Sequence, residues 1–513
     1  MLFNSYIFIL LFFPVTLLIY FILNRFNKYQ IAKVTLIAAS LIFYGYFNPW
    51  YLLIIISSIL INYGFSKAIS NGRTPTEDKD KDNIPSNRIS DEEIQSKHIS
   101  GLTCANKKKK LILILGIVIN IGLIFYFKYY DFFVTSVNDI FGLSIPVLNI
   151  LMPLGISFFT LQQVSYLVDS YRGETRDYSF IDYALFVSFF PQLVAGPIVL
   201  HNEMIPQFQD SSKKRINADN MMLGIRFFAL GLGKKVLLAD TLAMAVDYGY
   251  LNISALNSIS AILVAICYSF QIYFDFSGYC DMAYGIAKCF NIDIPVNFNS
   301  PYKAISIGDF WKRWHMSLTR FLTKYIYIPL GGNRKGRART LINIMLVFLI
   351  SGIWHGAGWP FIVWGLLHGL GSVVHRLISK SWDKLPKILA GIFTFIFVTI
   401  AWVFFRSDSI QTALDMCKNI FCGGFGAINE GVLSQFNIIE LTYVEEHVGF
   451  LGRLVENHAW INMALVLGAA GFIAFIPKNL HENKKVRCLH VIIVAVWAIL
   501  SLAGFSKFIY FNF

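Results

Sequence analysis

The sequence has 513 residues, 56% hydrophobic and only 15% charged, with a formal net charge of +13. Soluble domains carry about 25% charged residues, so this composition excludes an ordinary water-soluble enzyme and points to a chain dissolved in lipid. The cations sit in short loops between apolar runs, as the positive-inside rule produces, which argues against nucleic-acid binding; the seven scattered cysteines form no CxxC pair, so neither a disulfide framework nor a zinc site is indicated.

A spanning helix needs about 20 mostly apolar residues, and the chain supplies roughly ten to twelve such runs, an all-α polytopic architecture. The first run, about Ser5 to Leu23, lacks a basic n-region and a small-residue cleavage site and reads as a retained helix. Arg25, Lys28 and Lys33 follow it and place that loop in the cytoplasm. Runs near Val34–Phe47 and Trp50–Phe65 are joined by an Asn48-Pro49 turn. Residues Lys67 to Lys110 are polar, mixed in charge and end in four lysines, a composition that predicts a disordered cytoplasmic insertion within a single membrane domain. Spans follow at Leu111–Phe127 and about Leu148–Val168, the latter returning to a cytoplasmic loop with Arg172 and Arg176.

In Phe186 to Val199, Pro191, Gly196 and Pro197 argue against a straight helix. Irregular backbone at membrane depth survives only inside protein or beside a wet cavity, so a re-entrant element is expected there, with a plain kinked span as the alternative. Met221 to Ala243 reads as a span interrupted by Lys234-Lys235, whose long stems are expected to snorkel. Later spans lie at Ile388–Phe405, Ile461–Ile476 and Leu489–Phe505. Ser407–Trp460 is an external loop with a short amphipathic helix, and Lys478–Arg487 is a basic loop. This parity puts both termini outside. No internal repeat is present, which counts against many transporter folds.

The chemistry concentrates between Ala261 and Leu377. At 100° per residue, Trp311–Ile328 read as one helix puts Lys312, Arg313, Arg320 and Lys324 on one side. Trp311, His315, Leu318, Leu322 and Tyr325 fall on the other. This is an interfacial helix with its cations toward lipid headgroups and His315 on the apolar face, either a packed core histidine or a working one. The loop Leu330 to Arg337 is glycine-rich and basic; Asn333, Arg334 and Lys335 are candidates to hold a phosphate-bearing donor, or else only topogenic charges. His355 lies fifteen residues past Thr340, about 22 Å along a helix axis at 1.5 Å per residue, deep in a hydrocarbon core of about 30 Å. Neutral imidazole is the cheapest base to bury, and beside Trp354 it is a candidate general base for a hydroxyl. Gly352, Gly356, Gly365 and Gly369 make small-xxx-small pairs suited to close helix approach, and His368 and His375 read as packing residues. On the preceding span, Gln271, Asp275 and Gly278 share a face near Asp281; Asp275 either orients a histidine or bonds a neighbouring helix.

These residues carry a resemblance. The runs Phe270–Tyr279, Asp309–Leu318, Tyr327–Arg334 and Ser351–Gly356, with Pro191–Ile198 and the ending Phe508–Phe513, resemble the membrane-bound O-acyltransferase (MBOAT) family, in its bacterial alginate O-acetyltransferase-like branch. The similarity spans nearly the whole chain except Lys67–Lys110. It implies a ring of helices with re-entrant or interfacial pieces, a thin centre and a channel, in the bacterial cell membrane. It further implies His355 as the catalytic histidine and His315 as the second active-site residue. No bound cofactor or metal is expected; the donor implied is acetyl-CoA. Members of this branch move acetyl across the membrane, and a separate extracytoplasmic SGNH-hydrolase-like transferase completes transfer to a polysaccharide, so such a partner is expected here, together with membrane lipid. Two rivals stay open. One is D-alanyl transfer to teichoic acid from an acyl carrier protein, which uses both histidines too. The other is a non-enzymatic glycan or lipid transporter.

Overall fold

In hydrocarbon a backbone must satisfy its own N–H and C=O groups, and apolar runs of this sequence do so as helices. The computed structural model describes residues 1–70, 92–175, 177–436, 459–477, 481 and 488–502, with side chains from residue 107 onward in the second stretch. Every regular element among them is helical. Seven helical runs are long and apolar enough to cross a membrane, and Tyr29–Gly45, Ala459–Phe475 and Cys488–Leu500 are shorter apolar helices. Arg176, most of the basic loop after Ile476 and the Phe508–Phe513 ending lie outside the described residues, as do positions 71–91 and 437–458 of the two long loops.

The helices gather in two compact units. The first holds Met1, Val15–Val194 and Ile198–Ile216. Helix α1 (Phe13–Arg25) enters it, followed by α2 (Tyr29–Gly45), α3 (Tyr51–Ser70) and α4 (Glu92–Ile124). Positions 92–110 of the insertion are therefore helical, not disordered: Glu, Gln, Leu and Lys are good helix formers, and an apolar run that is already nucleated propagates cheaply. A π turn links α4 to α5 (Tyr130–Phe141). The span expected from Leu148 starts only at Ile156, where α6 (Ile156–Arg172) begins. Pro146 and Pro153 and the left-handed Asn149 and Gly155 hold the preceding chain open. Asp131 accepts from the amides of Leu148 and Ile150 at 2.9 and 3.1 Å and so replaces the missing helical bonds.

Buried polar side chains join these helices, as close-packed membrane helices favour. Asn62 and Asn120 exchange amide bonds at 3.2 and 2.6 Å, and Ser58 donates to Gln163 at 3.1 Å. Helix α7 (Phe180–Ser188) breaks at Phe189, one turn of α8 (Phe190–Leu193) follows, and the chain then runs irregularly to α9 (His201–Gln209). The stretch around Pro191 is thus broken, as its prolines require, and it is buried throughout. Lys33 pairs with Asp182 at 2.5 Å, and His201 with Asp169 at 3.2 Å.

The second unit holds Leu2–Pro14, Ala195–Pro197 and Asn217–Phe513. Helix α10 (Ala218–Gly233) continues through a π turn, Lys234–Ala239, into α11 (Asp240–Leu251). It packs on the 32-residue α12 (Ser258–Cys289). The approach is set by glycine: a Cβ on Gly231 would lie 2.6 Å from the carbonyl oxygen of Gly278. Lys234 and Lys235 do not snorkel. Lys235 is 3% exposed and its ammonium stands 2.5 Å from Asp275 and 2.8 Å from Asp240, while Lys234 lies 2.6 Å from Asp281. Carboxylates on the facing helix supply the partners that headgroups were expected to provide.

Beyond α12 come α13 (Ile307–Trp311), α14 (Met316–Leu322), α15 (Arg337–His355), α16 (Trp359–Trp382) and α17 (Lys387–Arg406). Then follow α18 (Ile410–Cys422), α19 (Glu430–Leu433), α20 (Ala459–Phe475) and α21 (Cys488–Leu500). Helices α15 and α16 approach at glycines as expected: a Cβ on Gly352 would meet Phe361 O at 2.4 Å and Gly365 Cα at 3.1 Å.

Candidate active site

His355 closes α15, a helix unbroken from Arg337, so the axial offset expected from Thr340 holds. Its chain continues as extended backbone at Gly356, and it is 3% exposed. Aromatic rings wall it: Trp354 and Trp364 each have their centroid 4.9 Å away, and Phe405 of α17 lies at 5.4 Å.

His315 arrives by a different route. Trp311–Ile328 is not one helix: α13 ends at Trp311, α14 starts at Met316, and His315 between them holds φ 45° and ψ 52°. Left-handed backbone at a residue with a side chain costs about 1–3 kcal/mol and persists only where the surroundings impose it. Here a neighbouring irregular stretch does so. Asn299 N donates to Arg313 O at 2.9 Å and Met316 N to Asn297 O at 3.0 Å, so both ends of the break are tied to it. The sidedness expected of the segment survives the break, with Trp311, Leu318 and Leu322 buried and Lys312 exposed.

His315 is fully buried. Its Nδ1 lies 3.1 Å from Asn297 Oδ1, and Phe276 of α12 meets its ring edge-on at 4.8 Å. Across the site its centroid is 6.3 Å from that of His355 and 6.1 Å from Trp354. Taking about 1.1 Å from centroid to ring nitrogen, facing nitrogens would stand about 4 Å apart, too far for a direct hydrogen bond but close enough for one oxygen to touch both. Two bases forty positions apart in sequence thus share one buried site.

The remaining candidates fall elsewhere. Trp354 is in the site. Gln271 and Asp275 are buried on α12, with Asp275 paired to Lys235 of the neighbouring helix, the second of its two expected roles. Asn333, Arg334 and Lys335 form an exposed turn shaped by the left-handed Gly331, Gly332 and Gly336 and tied to α15 by Asn343, which donates to Gly332 O at 2.9 Å. Near His315, a groove of about 360 Å³ opens along α14, lined by Trp311, Met316, Ile328 and the cations Lys312, Arg320 and Lys324. His368 is core, accepting at Nδ1 from the Trp311 indole at 3.2 Å. Sequence reasoning missed Asn297, Phe276, Trp364 and Phe405. Asn297 carried one faint signal, an amide among the apolar residues Ile294–Phe298; Phe276 lay within the Phe270–Tyr279 run, and Trp364 and Phe405 carried no signal. Among the described residues no His, Cys, Asp or Glu cluster suits a metal ion.

Residues 123–410 match the family described as MBOAT, membrane-bound O-acyltransferase family. The chain belongs to it. It is a multi-pass O-acyltransferase of the bacterial cell membrane, in the O-acetyltransferase branch of the family. It is 44% identical to the peptidoglycan O-acetyltransferase of Helicobacter pylori, over 82% of this chain and 80% of that one. It is 34% identical to the probable alginate O-acetylase AlgI of Pseudomonas aeruginosa, over 86% and 78%. A more distant likeness, 29% over 51% of this chain, links it to the teichoic acid D-alanyltransferase of Bacillus subtilis.

Proposed function

We propose that this chain takes acetyl from cytoplasmic acetyl-CoA and moves it across the membrane for O-acetylation of an extracytoplasmic polysaccharide, peptidoglycan or an alginate-like chain. The observation that carries the chemistry is the pair of imidazoles, His315 and His355, 6.3 Å apart in a buried aromatic site. His355 acts as general base. It takes the hydroxyl proton as that oxygen attacks the thioester carbonyl; the C–S bond breaks, and the proton passes from His355 to the leaving thiolate. Products are the acetyl ester and the free thiol of the coenzyme. His315 holds the reactants on the donor side. Lys312, Arg320 and Lys324 line the adjacent groove, and cations on an otherwise apolar wall suit the phosphates of such a donor. Arg334, Lys335 and Asn333 lie on the basic turn beyond that groove and are its second candidate contacts.

Supporting the acetyl cargo and the polysaccharide acceptor are the peptidoglycan and alginate relatives, which cover four-fifths or more of this chain. An extracytoplasmic SGNH-hydrolase-like transferase is the partner that this branch implies. The D-alanyl reading rests on relatives matched over half the chain and would need a carrier-protein thioester in place of acetyl-CoA. Membranes incubated with labelled acetyl-CoA test the proposal. Label should pass to glycan with wild type and stay on the coenzyme with His355→Ala, at equal protein levels. Labelled glycan from the His355→Ala membranes would overturn the catalytic assignment, and label passed only from an aminoacylated carrier would overturn the donor.

A further inference from the structure

The side chain that holds His315 also dictates where its proton sits. Asn297 Oδ1 receives three contacts: the Ser317 amide at 3.1 Å, the Ser317 hydroxyl at 2.9 Å and His315 Nδ1 at 3.1 Å. A backbone N–H can only donate, so the Asn297 atom facing Ser317 is the carbonyl oxygen, not the nitrogen. Its nitrogen points the other way, to Cys280 Sγ at 3.3 Å. Turning the amide over would set NH2 against the Ser317 N–H, two donors face to face. An amide oxygen carries no proton, so the hydrogen in the contact with His315 belongs to Nδ1. A neutral imidazole with its proton on Nδ1 has a lone pair on Nε2. That Nε2 is buried and meets no hydrogen-bond partner among the described residues.

We infer that Asn297 is a positioning residue: it keeps the proton of His315 on Nδ1 and leaves Nε2 as a proton-accepting atom within the site. The inference rests on the reading of His315 and His355 as the reacting pair, and it changes the role of His315 within that reading. His315 supplies no proton to the departing thiolate; that proton returns from His355. A buried lone pair without a partner is costly, and in the site its negative end stabilises the positive charge that forms as His355 takes the single proton of the hydroxyl. Asn297 also imposes this tautomer before substrate arrives, because its other partners, Ser317 and Cys280, are part of the fold.

Two measurements test this on the full-length protein in detergent or nanodiscs. Nitrogen-15 spectra of histidine-labelled protein, with the His315 signals assigned by their loss in His315→Gln, should show Nδ1 protonated and Nε2 bare. A protonated Nε2 in the resting protein overturns the inference. In kinetics with acetyl-CoA, Asn297→Ala should lower kcat about ten- to a hundredfold, the usual effect of removing the partner that orients a working histidine, with KM for the donor unchanged. Asn297→Asp keeps an oxygen acceptor and should restore at least tenfold over Asn297→Ala at high pH. The buried carboxylate favours imidazolium, so the acid limb of its kcat profile should move up by about one unit or more. An Asn297→Asp variant no better than Asn297→Ala at every pH, with both folded, also overturns it. Failure of the catalytic reading looks different: acetyl transfer persists in His355→Ala, whatever the tautomer of His315.

Discussion

The buried pair Lys235–Asp275 separates the two roles that a membrane carboxylate beside an active site can play. The two atoms are 2.5 Å apart, with the lysine side chain 4% and the aspartate 1% exposed, and Asp240 at 2.8 Å is a second partner for the ammonium. Removing one partner of a buried ion pair costs about 3–5 kcal/mol because the other charge is left in low dielectric. Asp240 remains after Asp275→Leu, so the loss belongs at the lower end, about 3 kcal/mol. Replacing both partners, Lys235→Met with Asp275→Leu, removes the two buried charges and takes the ammonium only from Asp240, whose side chain is 25% exposed to solvent, so it should recover part of that loss. The two thermal midpoints in detergent, completed by Lys235→Met as a double-mutant cycle, should show strong coupling between the sites. Acetyl transfer by the double variant should stay near wild type, since neither group is assigned to the chemistry. A double variant as unstable as Asp275→Leu would refute the pairing argument. A stable double variant that had lost transfer would refute the assignment of Asp275 to scaffold.

The α15–α16 approach predicts that Gly352→Val lowers stability by about 1–3 kcal/mol or more, because even the first added carbon lies 2.4 Å from a backbone oxygen that cannot swing away. Thermal denaturation measures it, and transfer should fall as well, since α15 ends in His355. Neutralising the groove with Arg320→Gln and Lys324→Gln should raise KM for acetyl-CoA about tenfold with kcat nearly unchanged, the pattern of lost ground-state binding. The wild-type KM should rise with salt more steeply than that of the double variant, and an unchanged KM would move the donor phosphates to the Arg334–Lys335 turn.

The fold class was legible because hydrophobic length reports directly on membrane spans, and α17 falls within one residue of its expected bounds at each end. The glycine pairs were legible for the same reason: small residues at four-residue spacing have one main use in a lipid-embedded helix. What failed was local. Periodicity treats Trp311–Ile328 as one helix, since every residue in it tolerates helix; the break at His315 is imposed from outside by the backbone bonds to Asn297 and Asn299. Lys234 and Lys235 were misplaced because a lysine stem reaches a headgroup or a facing carboxylate equally well, and only the packing of α10 on α12 selects the second. Positions 92–110 were misjudged because composition measures the cost of folding alone, and that segment grows from the end of a helix already formed.

The two histidines reach the site by chain endings, not by helix faces, and this bears on how such a site works. A side chain on the flank of a packed helix moves only with the helix. His355 stands at the last residue of α15, before extended backbone at Gly356 and Gly358, and His315 stands between two short helices in a left-handed turn. Each is anchored on one side and has irregular chain on the other. Aromatic rings wall His355, and the amide oxygen of Asn297 faces His315. The resting site is closed, with His355 only 3% exposed, so reagents must displace protein to arrive. Extended Gly356 and Gly358 and the 313–316 turn are the pieces that can yield without unwinding a spanning helix. Replacing Gly358 with alanine, whose added carbon would meet nothing closer than 3.6 Å on this extended backbone, should therefore slow turnover while leaving the thermal midpoint nearly as it is.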